Sequence, residues 1–247
     1  MTPDFVLSTY RRTLEAGIAA GYDFVGYADI GSESAPLTCL LRHDVDAEIF
    51  SLDPMADIEA SLGIRATYFV MTRSTVYNLF GLEASRAVAR LIDKGHRIGL
   101  HFMAEPYEED GNDALIERIG REAEWLRREF GTAVQAVSLH QPSQRVLAAR
   151  IQVPSLVNTY HPEEMRDYFY VADTNMGWRQ EHPAEIFARR LRPRLQLLIH
   201  PIWWTERPLN VRDKWRAVLQ ASRRAVIGHW RERERTLRDL PPDALDD

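Results

Sequence analysis

The chain has 247 residues, 45% of them hydrophobic, which is enough to bury one substantial core. A formal net charge of -5 excludes a protein built to neutralise nucleic-acid phosphates, and a single cysteine, Cys39, excludes an intrachain disulfide. No run approaches the roughly 18 apolar residues of a membrane span, and charges interrupt the first twenty residues where an export signal needs an apolar core, so the expected location is the cytoplasm.

Val6, Tyr10, Leu14 and Ile18 recur every fourth residue before Gly21, the pattern of an amphipathic helix closed by a glycine. After Pro36 the run LTCLLRHDVD is too short for such a helix and ends in charges, so residues 37–44 read as a buried strand. Met55, Ile58 and Leu62 mark a helix ending at Gly63, ATYFVM a strand at 66–71, and Val88, Leu91 and Ile92 a helix ending at Gly95. A short strand RIGLHF at 97–102 precedes a long helix with Leu115, Ile119, Ala123, Leu126 and Phe130 inward. Strands AVQAVSLH, ending at residue 140, and YFYVAD, at 168–173, come next; helix Pro183 to Leu191 and strand LQLLIHP follow them. A last helix over 210–237 places Trp215, Val218, Leu219, Val226 and Trp230 on its apolar side, and RERER at 231–235 reads as a solvated face.

Strands alternating with helices of roughly 10–15 residues imply right-handed crossovers and a parallel sheet, with enough strands to close into a barrel. The expectation is an α/β fold, a (β/α) barrel with parallel strands, as a single domain over residues 1–237 followed by a disordered tail at 238–247. An open doubly wound sheet is the alternative.

Asp44, Asp46, His101, His140, Asp173 and His200 all fall at or just past the carboxyl ends of these strands, the rim where parallel barrels carry chemistry. Asp44 and Asp46, two residues apart, point to one side of an extended strand, and a cation relieves their repulsion. His101 and His140 with one carboxylate form a two-His, one-carboxylate set suited to one divalent metal ion; zinc fits best, and cobalt, nickel, manganese or iron are compatible. His200 suits a general acid, with Asp173 accepting a hydrogen bond from its imidazole. Trp178, Trp203 and Trp204 offer flat walls for a sugar ring. HDVD also reads as the HD pair of a metal phosphohydrolase, but adjacent side chains on a strand point apart.

Four ordered blocks, LRHDVD at 41–46, GIRATYFV at 63–70, GHRIGLH at 95–101 and LLIHP at 197–201, resemble the motifs of the polysaccharide deacetylase superfamily, carbohydrate esterase family 4. The resemblance spans residues 36 to 204. It implies a distorted (β/α) barrel in which Asp44 is the general base, Asp46 and His101 are metal ligands, His200 is the general acid and Asp173 its orienting partner. Two departures stand out: Glu105 occupies the place of the family's second metal histidine, and His140 in SLHQPS that of an arginine. His140 is therefore the expected third ligand and Glu105 the alternative. The aspartates are separated by Val45 rather than adjacent, so the roles of Asp44 and Asp46 are open to exchange.

The implied activity is metal-dependent hydrolysis of an N-acyl group, acetyl or formyl, from an amino sugar; the expected cytoplasmic location, not the resemblance, points to a nucleotide-linked or lipid-linked precursor of a surface polysaccharide as the substrate. An amidase acting on a small or cyclic amide, and a non-catalytic carbohydrate-binding protein, are the alternatives.

Overall fold

The computed structural model describes residues 5–32, 35–47, 49–179, 181–241 and 244. The N-terminal four-residue repeat forms helix α1 (Leu7–Ala19), buried through Tyr10 and Leu14 and ended by Gly21 at φ +85°. The chain continues through β1 (Asp23–Val25), β2 (Thr38–Val45), α2 (Asp53–Ser61), β3 (Thr67–Val70), α3 (Leu82–Asp93), β4 (Arg97–Met103) and α4 (Asn112–Phe130). Its second half comprises β5 (Val134–His140), α5 (Gln144–Ala148), β6 (Val157–Asn158), β7 (Phe169–Ala172), α6 (Pro183–Ala188), β8 (Arg194–Ile199), α7 (Val211–Arg233) and α8 (Arg235–Arg238). Gly63 and Gly95, at φ +74° and +86°, end the turns after α2 and α3 as the sequence predicts.

Hydrogen-bonded order across the sheet is β6-β5-β4-β3-β2-β8-β7, every ladder between these strands is parallel, and β1 adds to β2. One edge of β2 is shared: its first residues pair with β1 and its last with β3, while the other edge takes β8. The path curls with β6 and β7 as its ends, so this is the distorted (β/α) barrel with parallel strands that the alternation predicts. Strands β1 and β6 are too short, at three and two residues, to leave a pattern in the sequence.

All eight residues of β2 are buried, and their alternation sorts two environments. Cys39, Leu41 and Val45 face the surrounding helices and join the large outer core. Leu40 turns inward to a small core with Tyr27, Phe69, Ala136, Met165 and Tyr168. Gly99 in β4 permits this inner packing: a Cβ there would lie 2.5 Å from the Phe69 ring.

His43 and His96 belong to a polar knot outside the sheet. His43 Nε2 is 2.7 Å from Glu59 Oε1, His96 Nδ1 is 3.5 Å from Oε2, and the Tyr10 and Tyr68 hydroxyls both donate to the same carboxylate. Burial opposes charge on Glu59, but His43 and His96 and these hydrogen bonds outweigh it and hold the carboxyl below its ordinary range. The knot ties α1 and α2 to β2 and β3.

The last helix corrects the sequence reading. Only Lys214 and Val218 of α7 are buried, whereas Trp215, Leu219, Val226 and Trp230, expected inward, are exposed. The barrel is already covered by the other helices, so α7 packs along one narrow row. Arg238 ends α8 and Arg231 Nη2 donates to Pro241 O at 2.7 Å. Of the expected disordered tail, residues 238–241 and 244 are described and the others lie outside the described residues. Among the described residues no helix is long and apolar enough to cross a membrane.

Candidate active site

Five strands deliver the reactive side chains to one end of the sheet. Asp44 is the penultimate residue of β2 and Asp46 follows its end; His101 lies in β4, His140 closes β5, and Asp173 and His200 follow β7 and β8. Parallel pairing sets their heights, with His101 opposite Ser138 and Met103 opposite His140 across the β4–β5 ladder.

Three donor atoms converge. Asp46 Oδ1 is 2.9 Å from His101 Nε2 and 3.1 Å from His140 Nδ1, and the two imidazole nitrogens are 3.1 Å apart. His101 Nδ1 lies 3.1 Å from the carbonyl of Ser138, which can only accept, so Nδ1 carries the proton. A neutral His101 therefore presents a bare Nε2 to a carboxylate oxygen, lone pair against lone pair. Positive charge has to lie between them, as a second proton or as a metal ion.

The acid–base balance of the residues expresses the same demand. Burial disfavours charge on His101, yet Asp44 and Asp46 raise its pKa. Burial likewise opposes ionisation of Asp46, yet His101 and His140 hold its carboxyl far below the usual range. The donor set of one carboxylate oxygen and two imidazole nitrogens is that of a divalent transition-metal site. Donors bonded at ~2.0–2.1 Å to a tetrahedral ion stand ~3.3 Å apart, close to the separations here. The residues fit such an ion. Glu105 is exposed at the turn after β4 and stands outside the cluster, which His140 joins in its place.

Asp44 sits beside this triad with a different set of partners. Its Oδ2 accepts from Arg42 Nη2 at 2.9 Å and from Ser138 Oγ at 2.9 Å, and lies 3.9 Å from His101 Nε2. Its Oδ1 is buried with no hydrogen-bond partner among the described residues. Burial raises the Asp44 pKa, but Arg42 first, then His101 and His200, pull it below the ordinary value. Asp44 is thus ionised and has one oxygen free to accept a proton. Ser138 links it to the triad, its hydroxyl on Asp44 and its carbonyl on His101.

Arg42 is wholly buried inside the barrel. It also contacts Ser138 Oγ, Tyr160 OH and Gln196 Oε1 at 3.0, 3.2 and 3.3 Å, with its guanidinium 5.1 Å from the Tyr160 ring centre. The sequence reading passed over Arg42 and Ser138. The signal was present: Arg42 is a charge inside an apolar strand, two residues before Asp44 and therefore on its face.

Beyond β2, at the ends of the next two strands, Asp173 accepts from the His200 backbone N–H at 3.0 Å, His200 Nδ1 at 2.6 Å and Trp204 Nε1 at 2.8 Å. Burial lowers the His200 pKa, but the bond and charge of Asp173, with smaller contributions from Asp44 and Asp46, push it up to about 9. The ring is protonated at neutral pH with Nδ1 committed to Asp173, which leaves the proton on Nε2 to be donated.

Trp203 and Trp204 are buried rather than open walls. Trp204 packs on Phe5 and Tyr10 while serving Asp173, and Trp203 meets Trp215 edge-on. Trp178 is half-buried and stacks on Phe5. His43 faces Glu59, away from Asp44, so the two do not form an HD pair.

No protein family profile matches the chain, and no curated protein matches it in sequence. Among solved structures, the deacetylase PplD of Streptococcus pyogenes in complex with acetate is 13% identical, with 81% of this chain and 84% of that one covered at a TM-score of 0.49. A family 4 carbohydrate esterase from Bacillus anthracis is 16% identical, with 86% of each chain covered at 0.46. The chitin deacetylase of Colletotrichum lindemuthianum is 15% identical, with 74% of this chain and 81% of that one covered at 0.41.

Proposed function

We propose that this chain is a metal-dependent hydrolase that removes an N-acyl group, acetyl or formyl, from an amino sugar destined for a surface polysaccharide. One observation carries the reading: a carboxylate and two imidazoles meet at a single point, flanked by an ionised carboxylate on one side and a protonated imidazole on the other. The order of the blocks LRHDVD, GHRIGLH and LLIHP supports a sugar amide as the substrate class.

Asp46, His101 and His140 would hold the ion, and zinc suits two nitrogens and one oxygen best. Bound there, a divalent ion supplies a water acidified to a pKa of about 7 and polarises the acyl carbonyl. Asp44, through its unpartnered Oδ1, takes the proton of the attacking water. Arg42 and Ser138 keep that carboxylate ionised and fixed on its other oxygen. His200 gives its Nε2 proton to the departing amine, and Asp173 orients the ring and stabilises its charge.

The test is acyl release. Protein stripped by a chelator and reconstituted with zinc is offered N-acetylated and N-formylated amino sugars, free, nucleotide-linked and lipid-linked, beside small linear and cyclic amides. Metal-dependent release of acetate or formate from a sugar is expected. Preferential hydrolysis of the small amides would make the chain an amidase, and stoichiometric metal without any turnover would make it a binding protein.

A further inference from the structure

We propose that the outward face of α7 is a docking surface for an anionic lipid layer, which it meets lying flat with its tryptophans in the headgroup boundary. Trp215, Leu219, Val226 and Trp230 are 40%, 62%, 60% and 48% exposed. Their steps of four, seven and four residues put them in one row along the helix, turned by roughly 110° from the row of the buried Lys214 and Val218. Large apolar side chains in a continuous exposed row are a recognition surface rather than scattered surface residues.

Charge selects the occupant. Residues 211–238 carry nine arginines and lysines against three acids, within a chain whose net charge is -5. The basic charge is concentrated on this one element and the remainder of the molecule is acidic. Arg212, Arg216 and Arg223 recur with the same four- and seven-residue steps and so flank the apolar row. Tryptophan and leucine in a row with arginine beside it is the composition of a helix that lies in a membrane interface, with guanidinium groups reaching the headgroups. A nucleic acid would use the arginines but leave the apolar row uncovered, whereas a lipid layer uses both.

The patch extends toward the reactive end of the barrel. A shallow groove of about 310 Å³ runs from Val226 and Trp230 to Val76, Tyr77 and Leu82. Leu82, which lines it, and the neighbouring Phe80 are 53% and 42% exposed. Those residues lie in the segment leaving β3 at the end of the sheet that holds Asp46, His101 and His140. A lipid layer against α7 therefore lies beside the barrel mouth.

The experiment is cosedimentation of the full chain with vesicles of phosphatidylcholine alone and of phosphatidylcholine mixed with phosphatidylglycerol. The chain should sediment with the mixed vesicles, remain in solution with the neutral ones, and be released as salt screens the charges. W215S/W230S should lower partitioning by roughly tenfold or more, and R212E/R216E by at least roughly fivefold per arginine, with unchanged circular dichroism in both variants. Four results would each overturn the proposal: no sedimentation of the native chain with mixed vesicles; equal sedimentation with neutral ones; tighter binding to duplex DNA than to vesicles; or a native dimer that W215S/W230S turns into a monomer.

Discussion

Arg42 and Asp44 form an ion pair 2.9 Å long from which solvent is excluded. Removing one member of such a pair leaves the other charge buried alone, so Arg42→Met should destabilise the fold by about 3–5 kcal/mol. It should also raise the Asp44 pKa, because burial then acts unopposed by its largest counterweight, and move the acid limb of the activity profile to higher pH. A rate profile and a denaturant titration check both effects. Asp44→Asn should retain the metal and lose roughly 10²-fold or more in turnover.

His200 answers to Asp173 in the opposite sense. Its folded-state pKa, about 9, lies above the ordinary imidazole value of about 6.5, so the pair's stabilisation is full below about 6.5 and is lost as pH rises through about 9. An NMR titration of metal-free protein should find this ring titrating far to the alkaline side, and Asp173→Asn should move it acidward. At this scale Asp46, His101, His140, Asp173 and His200 were legible because a strand end fixes a side chain's place on the rim. Of the partners that tune them, Arg42 left a local signal, a charge two residues before Asp44 on the same strand, whereas Ser138 and Trp204 left none, since their contacts join residues of different elements that no local pattern relates.

The strands that carry the site depend on how closely β3 and β4 pack. Gly99→Ala would place a methyl group 2.5 Å from the Phe69 ring and push on the strand that bears His101. Overpacking of this kind costs about 1–3 kcal/mol, and metal affinity should fall with it. Reducing the opposing ring, in Gly99→Ala/Phe69→Leu, should restore much of both, as thermal unfolding and metal titration would show. The long elements were readable because fifteen or so periodic residues overdetermine a helix and an apolar run before a charge marks a strand. Strands β1 and β6 exist through pairing with β2 and β5, which no short segment encodes alone. Helix α7 shows the limit of periodicity: an apolar row signals a face to be covered, not that the same chain covers it.

Across the molecule the reactive rim and the Glu59 knot lie on opposite faces of β2, set by alternation between Asp44 and His43. Glu59→Ala would remove the shared partner of His43, Tyr10 and Tyr68, and the fold should lose about 3–5 kcal/mol, measured by denaturant unfolding, while one ion per folded chain is still bound. The account as a whole stands on three side chains from β4, β5 and the end of β2 gripping one divalent ion. Metal content after zinc reconstitution, measured in parallel on the native chain and on Asp46→Ala, His101→Ala, His140→Ala and Glu105→Ala, addresses this directly. One ion per chain in the native protein and in Glu105→Ala, with loss in the other three, is the predicted result; full occupancy in those three, or loss in Glu105→Ala alone, would contradict it.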